Sequence, residues 1–300
     1  MLISTSGSVL GLLRWQWKFV LLATVAATLV TSCHVLLGWE WMRLPSLPLA
    51  VVGASLGIFV SFRTNSSYDR WWEGRKLWGR MINTSRHVAI QAKNYFGDDE
   101  KMRETFIRRH IAYVHVFRTL LRGQAPLEDE DVLKYLDDDD KKDIVGNSNM
   151  TAFLLERQFS VICEANNAGN LNEFRLSDMD ESLRHFLDIQ GGCERIKKTP
   201  LPRAYGFIAE RLIQWFSVLF PAGLVVDLGW ATIPVAVLVA FCFKMISETG
   251  RVLEDPFNLF WNALPLHNIS RTIEINLLEI LGDDDLPAPI GPIGNGNVLM

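Results

Sequence analysis

The sequence predicts an all-helical membrane protein, with four membrane helices in two hairpins and a large helical region in water. Three observations carry that reading. Apolar residues make up 49% of the 300 and charged ones 21%, but they are segregated, with apolar blocks toward both ends and a polar middle. The segment Ser61 to Arg80, SFRTNSSYDRWWEGRKLWGR, sets Arg70, Arg75 and Lys76 among Trp71, Trp72 and Trp78, directly after an apolar run. Indole rings and cationic heads settle at the headgroup level of a bilayer, so this segment reads as a membrane helix continuing into water. Finally, no stretch of the chain sustains the alternation a sheet requires.

The first apolar run, Phe19 to Leu37, follows Arg14 and Lys18. At helical rise its roughly 19 residues cover about 28 Å, enough to cross the hydrocarbon core. Val30-Thr31-Ser32-Cys33 resembles a lipoprotein processing site, but the basic residues sit far from Met1 and cleavage would not explain the later runs. Gly38 to Pro48 is a short connection with Trp39 and Trp41, fit for the far interface. Leu49 to Phe62 is the second span, where Gly53, Ala54, Ser55 and Gly57 permit close helix approach.

The middle reads as helices. Lys101 to Arg122 places Phe106, Ile107, Ile111, Val114, Phe117 and Leu121 at helical spacing. The acidic stretch Glu128 to Asp143 lacks the ligand order and glycine of a calcium loop and is expected to be a solvated loop or helix end. Further helices are expected over Thr151 to Asn166 and Asp178 to Ile189, the latter stopped by Gly191-Gly192. The second apolar pair, Phe207 to Val226 and Ala231 to Ile246, contains Pro221, which neighbouring helices accommodate as a kink. An amphipathic helix is expected from Asn268 to Leu281.

Charge sets the topology. Arg14, Lys18, Arg63, Arg70, Arg75, Lys76 and Arg80 flank the first hairpin on one side, and Lys244 and Arg251 follow the second. The positive-inside rule puts both termini and the middle in the cytoplasm, as for a multi-pass membrane protein. The expected organisation is a cytosolic segment 1–18, a hairpin 19–62, a cytosolic region 63–206, a hairpin 207–246, a cytosolic helical segment 247–281 and a disordered acidic, Gly/Pro-rich tail 282–300.

Enzyme chemistry finds no support. The six histidines make no HExxH pair, and no Walker loop, GxGxxG or GxSxG occurs. His110 and His115 would stand about 140° apart on a helix, too far round to share a metal. The four cysteines show no CxxC spacing. No metal site, cofactor or nucleic-acid partner is expected. Ala54, Ile58 and Phe62, at i, i+4 and i+8, share one helix face; spacing alone leaves open whether lipid, a neighbouring subunit or a pore lies against it. Arg70 and Glu73, at i and i+3, are expected to pair locally.

Arg70-Trp71-Trp72-Glu73, Arg75, Leu77-Trp78-Gly79, Ser85-Arg86, Gly192-Cys193-Glu194-Arg195-Ile196, Thr199-Pro200-Leu201-Pro202, Val225-Val226-Asp227 and Leu253-Glu254-Asp255-Pro256-Phe257 resemble the bestrophin family, and within it the bacterial branch. The resemblance spans nearly the whole chain. It implies a homopentameric ion channel whose second membrane helix lines an apolar neck. Carried onto this sequence, the neck falls on Phe62, Ile58 and Ala54, the last smaller than the family's usual aliphatic residue. A second constriction at the cytosolic exit falls on Ser177, beside Leu176. The acidic calcium clasp of eukaryotic members is absent after Glu254-Asp255. The implied cargo is small monovalent ions, chloride by family and sodium for some bacterial members. Two other readings remain: a membrane-anchored cytosolic scaffold without a pore, and a transporter with intramembrane chemistry. For the latter the spans offer only His34, Glu210, Arg211 and Lys244.

Overall fold

The computed structural model describes residues 9–292 apart from 261. Among them every regular element is helical: α1 (Val9–Trp15), α2 (Trp17–Leu37), α3 (Ser46–Tyr95), α4 (Glu100–Leu121), α5 (Glu130–Leu133), α6 (Asp138–Ile144), α7 (Met150–Asn167), α8 (Glu173–Lys198), α9 (Arg203–Leu228), α10 (Thr232–Leu253) and α11 (Leu266–Leu281). The described residues fall into two compact units, one of 9–71 with 200–255 and one of 72–199 with 256–292.

The first unit is an apolar helix cluster. Three helical stretches are long and apolar enough to cross a membrane, 17–37, 40–95 and 204–253, and the last comprises α9 and α10 joined by the tight turn Gly229–Ala231. Helix α2 and the first part of α3 pack with α9 and α10 around Phe19, Ala23, Leu56, Val60, Ile213, Phe216 and Ala240. Small residues set the spacing. A Cβ on Gly53 would stand 3.0 Å from Phe216, and one on Gly250 would stand 3.1 Å from Thr64 Oγ1 and 3.3 Å from its Cα. Helix α9 stays helical through Pro221, and Leu44 N–H donates to the Ala222 carbonyl at 2.9 Å. Leu21, Leu22, Val25 and Leu29 of α2 point outward. An apolar exterior suits lipid and is costly in water.

The second unit is built on α4, which is buried along nearly all of Phe106 to Leu121 and packs against α7, α8 and α11. Trp78 of α3 is fully buried and stacks on Phe117 at 5.7 Å. Side-chain caps fix where helices begin: Asp99 accepts from Met102 N–H at 3.0 Å, Asn149 from Ala152 N–H at 3.0 Å and Asn172 from Arg175 N–H at 2.9 Å.

Two local expectations fail here. Helix α8 does not stop at Gly191-Gly192 but runs on to Lys198. The glycine is there for closeness, since a Cβ on Gly192 would stand 3.0 Å from both Leu77 methyls. Nor is the acidic stretch merely solvated. Asp140 is buried and holds Arg109 at 2.5 Å, while Asp129 and Asp131 take Arg118 at 2.5 and 3.3 Å. These carboxylates fold inward because α4 carries buried arginines that need them. Beyond α11 the described chain, to 292, has no regular secondary structure and is tied by Arg108 to Asp283 at 2.8 Å and by Asn268 to the Ile290 carbonyl at 2.9 Å. Of the tail expected to be disordered, 293–300 lie outside the described residues.

A candidate pore-lining face on α3

Helix α3 is unbroken through residue 62, so its first half presents two faces with different fates. The inner face, Gly53, Leu56, Val60, Arg63 and Ser67, is buried within its own unit. The outer face is uncovered by the rest of the chain. Ala54 is exposed, Ile58 is 61% and Phe62 63% exposed, and Leu47 and Val51 extend the same exposed strip toward the N-terminus. At 100° per residue, Leu47, Val51, Ala54, Ile58 and Phe62 lie within about 80° of one another. This is a continuous apolar stripe bearing no ionisable group, and it has no nucleophile or acid–base pair with which to do chemistry.

The end of the apolar cluster is closed by charge. Arg63, 5% exposed, meets Glu254 at 3.5 Å and Ser247 at 3.3 Å, and Thr64 Oγ1 donates to the Ile246 carbonyl at 3.2 Å. Lys244 joins Glu210 at 3.1 Å and Glu248 at 2.8 Å, and Glu248 also takes Arg251 at 2.7 Å. Buried charges at this depth persist because each is paired.

The Arg70-Trp71-Trp72-Glu73 segment corrects the expected local pair. Arg70 Nε donates to the Glu254 carbonyl at 3.1 Å, whereas Glu73 takes Arg195 of α8. These partners are about 120 residues or more away in sequence, a distance that helical spacing does not register. Trp71 is half-buried and Trp72 exposed. Ser177 is exposed and Leu176 half-buried on the first turns of α8. Sequence reasoning passed over their neighbour Phe174, which is 86% exposed. An uncompensated aromatic just after the cap Asn172 is the signal that marks it.

Sequence reasoning also missed a buried polar cluster in the second unit. His115 and Glu274 are fully buried and bonded at 3.1 Å, the Tyr135 hydroxyl donates to Glu274 at 2.6 Å, and Arg271 bridges Glu274 at 3.1 Å and Asp131 at 2.7 Å. His267 meets Asp131 at 3.0 Å. Burial holds the His115 imidazole below its ordinary value despite Glu274. The bond from His267, with Arg271 and Arg118, outweighs burial and holds Asp131 well below the carboxylate range. Burial would lift Glu274, but the bonds from His115 and Tyr135 and the charge of Arg271 prevail and lower it. Helix α11 is thereby fastened to α4. Among the described residues no group of three or more His, Cys, Asp or Glu side chains is arranged to hold a metal ion.

The chain is similar to voltage-dependent anion channel-forming protein YneE of Salmonella typhi, with 31% identity over 94% of this chain and 91% of that one. It is likewise similar to the Escherichia coli K12 protein of the same name, 31% identical over 95% and 92%, and to a voltage-dependent anion channel-forming protein of Mesorhizobium japonicum, 33% identical over 79% and 75%. The crystal structure of a bacterial bestrophin homologue from Klebsiella pneumoniae superposes with a TM-score of 0.83 at 29% identity, covering 89% of this chain and 98% of that one. The apolar spans together with these channel-named relatives make this a membrane protein. The family described as Bacterial/Fungal Bestrophin protein matches residues 1–279, and this chain belongs to that bestrophin family.

Proposed function

We propose that the chain is one subunit of a homopentameric channel that passively conducts small monovalent ions across the cell inner membrane. The supporting observation is the uncovered apolar stripe of α3, in a chain whose relatives are named as anion channel-forming proteins. Set around a shared axis, Phe62, Ile58 and Ala54 form stacked apolar rings that gate by dewetting. With Ala54 at the outer ring the neck is widest there and narrowest at Phe62. Ser177, with Leu176, forms a second and more polar narrowing at the exit. The bilayer limits fall near 19–62 and 207–246, and the termini and 63–206 lie in the cytoplasm, with the cationic residues around 63–80 on that side. Trp71 and Trp72 mark the interface.

Planar-bilayer recording of the purified protein tests this reading. Replacing Phe62 and Ile58 together by alanine raises single-channel conductance, because two apolar rings widen at once. Unchanged currents from a correctly assembled pentamer overturn the neck assignment. Absence of current from that pentamer supports a scaffold in place of a pore.

A further inference from the structure

The neck stripe is uncharged and does not choose the sign of the ion, so the charges nearest to it on the same face decide. Measured from Ile58, Phe62 lies at about 40° and Asp69 at about 20°, so Asp69 projects between the two neck residues, two turns beyond Phe62 and about 10 Å along the helix. Asp69 is exposed, and among the described residues no hydrogen bond or ion pair engages its carboxylate. The other charges of this segment are turned elsewhere. Arg63 is buried against Glu254, Arg70 reaches the Glu254 carbonyl and Glu73 is taken by Arg195. Asn65, also on the stripe, is neutral.

Two cations share the azimuth. Lys76 and Arg80 are both exposed, 14 and 18 residues beyond Phe62 and about 21 and 27 Å along the helix. Distance separates their effect from that of Asp69. At physiological salt the Debye length is about 8 Å, so Asp69 acts on the neck from little more than one screening length and Lys76 and Arg80 from more than two.

We propose that Asp69 is the charge-selectivity residue of this channel: repeated around the axis, it forms a carboxylate ring beside the inner end of the neck that draws small monovalent cations such as sodium into the neck at the expense of chloride. The proposal deepens the pore reading and rests on it. Such a ring would bias the ions reaching a neutral constriction without narrowing it.

The test is the reversal potential in planar bilayers under a sodium chloride gradient, for the wild-type protein, Asp69→Asn, Asp69→Lys and the Phe62→Ala/Ile58→Ala variant. Reversal moves toward the chloride Nernst potential in Asp69→Asn and further in Asp69→Lys. Between Asp and Lys the sodium-to-chloride permeability ratio falls by on the order of tenfold, as expected for reversing a ring of charge beside a constriction. Asp69→Cys guards against misfolding of the lysine variant: cationic and anionic methanethiosulfonates move its reversal potential in opposite directions, with the wild-type protein controlling for the four native cysteines. An unmoved reversal potential in every Asp69 variant, while the neck variant gains conductance, overturns the Asp69 assignment and leaves the pore reading standing. Neck-variant currents identical to wild type overturn the pore reading, and the Asp69 proposal with it.

Discussion

His110 shows how far one side chain can be held from its ordinary chemistry. Its Nε2 lies 3.0 Å from Ser85 Oγ of α3, its Nδ1 3.4 Å from Gln158 of α7, and its ring packs against Phe186 of α8 and Tyr113. None of these neighbours is an anion, and burial lowers its pKa from 6.5 to about 4. The unfolded chain therefore binds a proton that the folded chain refuses. The resulting stability is complete above pH 6.5 and is lost as pH falls toward 4. A shift of this size corresponds to about 3 kcal/mol. His115 is displaced in the same direction, whereas Glu274 and Asp131 are lowered and so lose their contribution only in more acid solution. Thermal unfolding of the detergent-purified protein should thus fall in two stages as pH drops. His110→Gln should flatten the stage between pH 6.5 and 4. The slope is the readout, so a general loss of stability in the variant does not mimic it, and an unchanged slope removes His110 from the account.

Neighbouring glycines in α8 sit in opposite environments, which is why composition misreads that helix. A Cβ on Gly191 would meet nothing within 4 Å, while one on Gly192 would stand 3.0 Å from both Leu77 methyls. Gly191→Ala should raise the unfolding temperature, by up to about 1 kcal/mol of helix propensity. Gly192→Ala gains the same propensity but must displace Leu77, which costs about 1–3 kcal/mol, and should lower it. Equal shifts in the two variants would show that the helix does not rely on this close approach. The sequence displays Gly-Gly and its local rule says stop; only the partner 115 residues upstream explains why the helix continues. The same reason accounts for Glu73, which passes over Arg70 for Arg195, and for the acidic stretch, whose inward turn depends on Arg109 and Arg118 of α4. Other features were legible locally: the apolar blocks, the helices over 101–122 and 151–166 and the run of α3 past Phe62 all depend on periodicity. The shared face of Ala54, Ile58 and Phe62 was legible too. Its exposure was not, because that depends on which side of α3 receives Phe216 and Phe243.

At the scale of the whole molecule the α3 stripe is a surface awaiting symmetry. The fold sends one face of the helix into its own core and leaves the other to lipid or to copies of itself. Asn65 and Asp69 follow Phe62 on that face, beyond the bilayer limit near residue 62, so the apolar strip passes into polar side chains where the helix enters water. A closed ring about the stripe satisfies both halves, with apolar side chains at the constriction and polar ones where the pore opens to water. This geometry makes a stoichiometric prediction. Phe62→Cys, with Cys33, Cys163, Cys193 and Cys242 replaced, brings thiols from neighbouring subunits together at the narrowest ring, where a disulfide needs Cα atoms within about 7 Å. Oxidation should give covalent dimers on a denaturing gel, while Leu21→Cys on the outward face of α2 should give none. Disulfides join chains in pairs, so a five-membered ring can never be exhausted: about one chain in five stays monomeric however long oxidation continues. Complete conversion to dimer would indicate an even-numbered ring. No dimer at all would remove Phe62 from the axis.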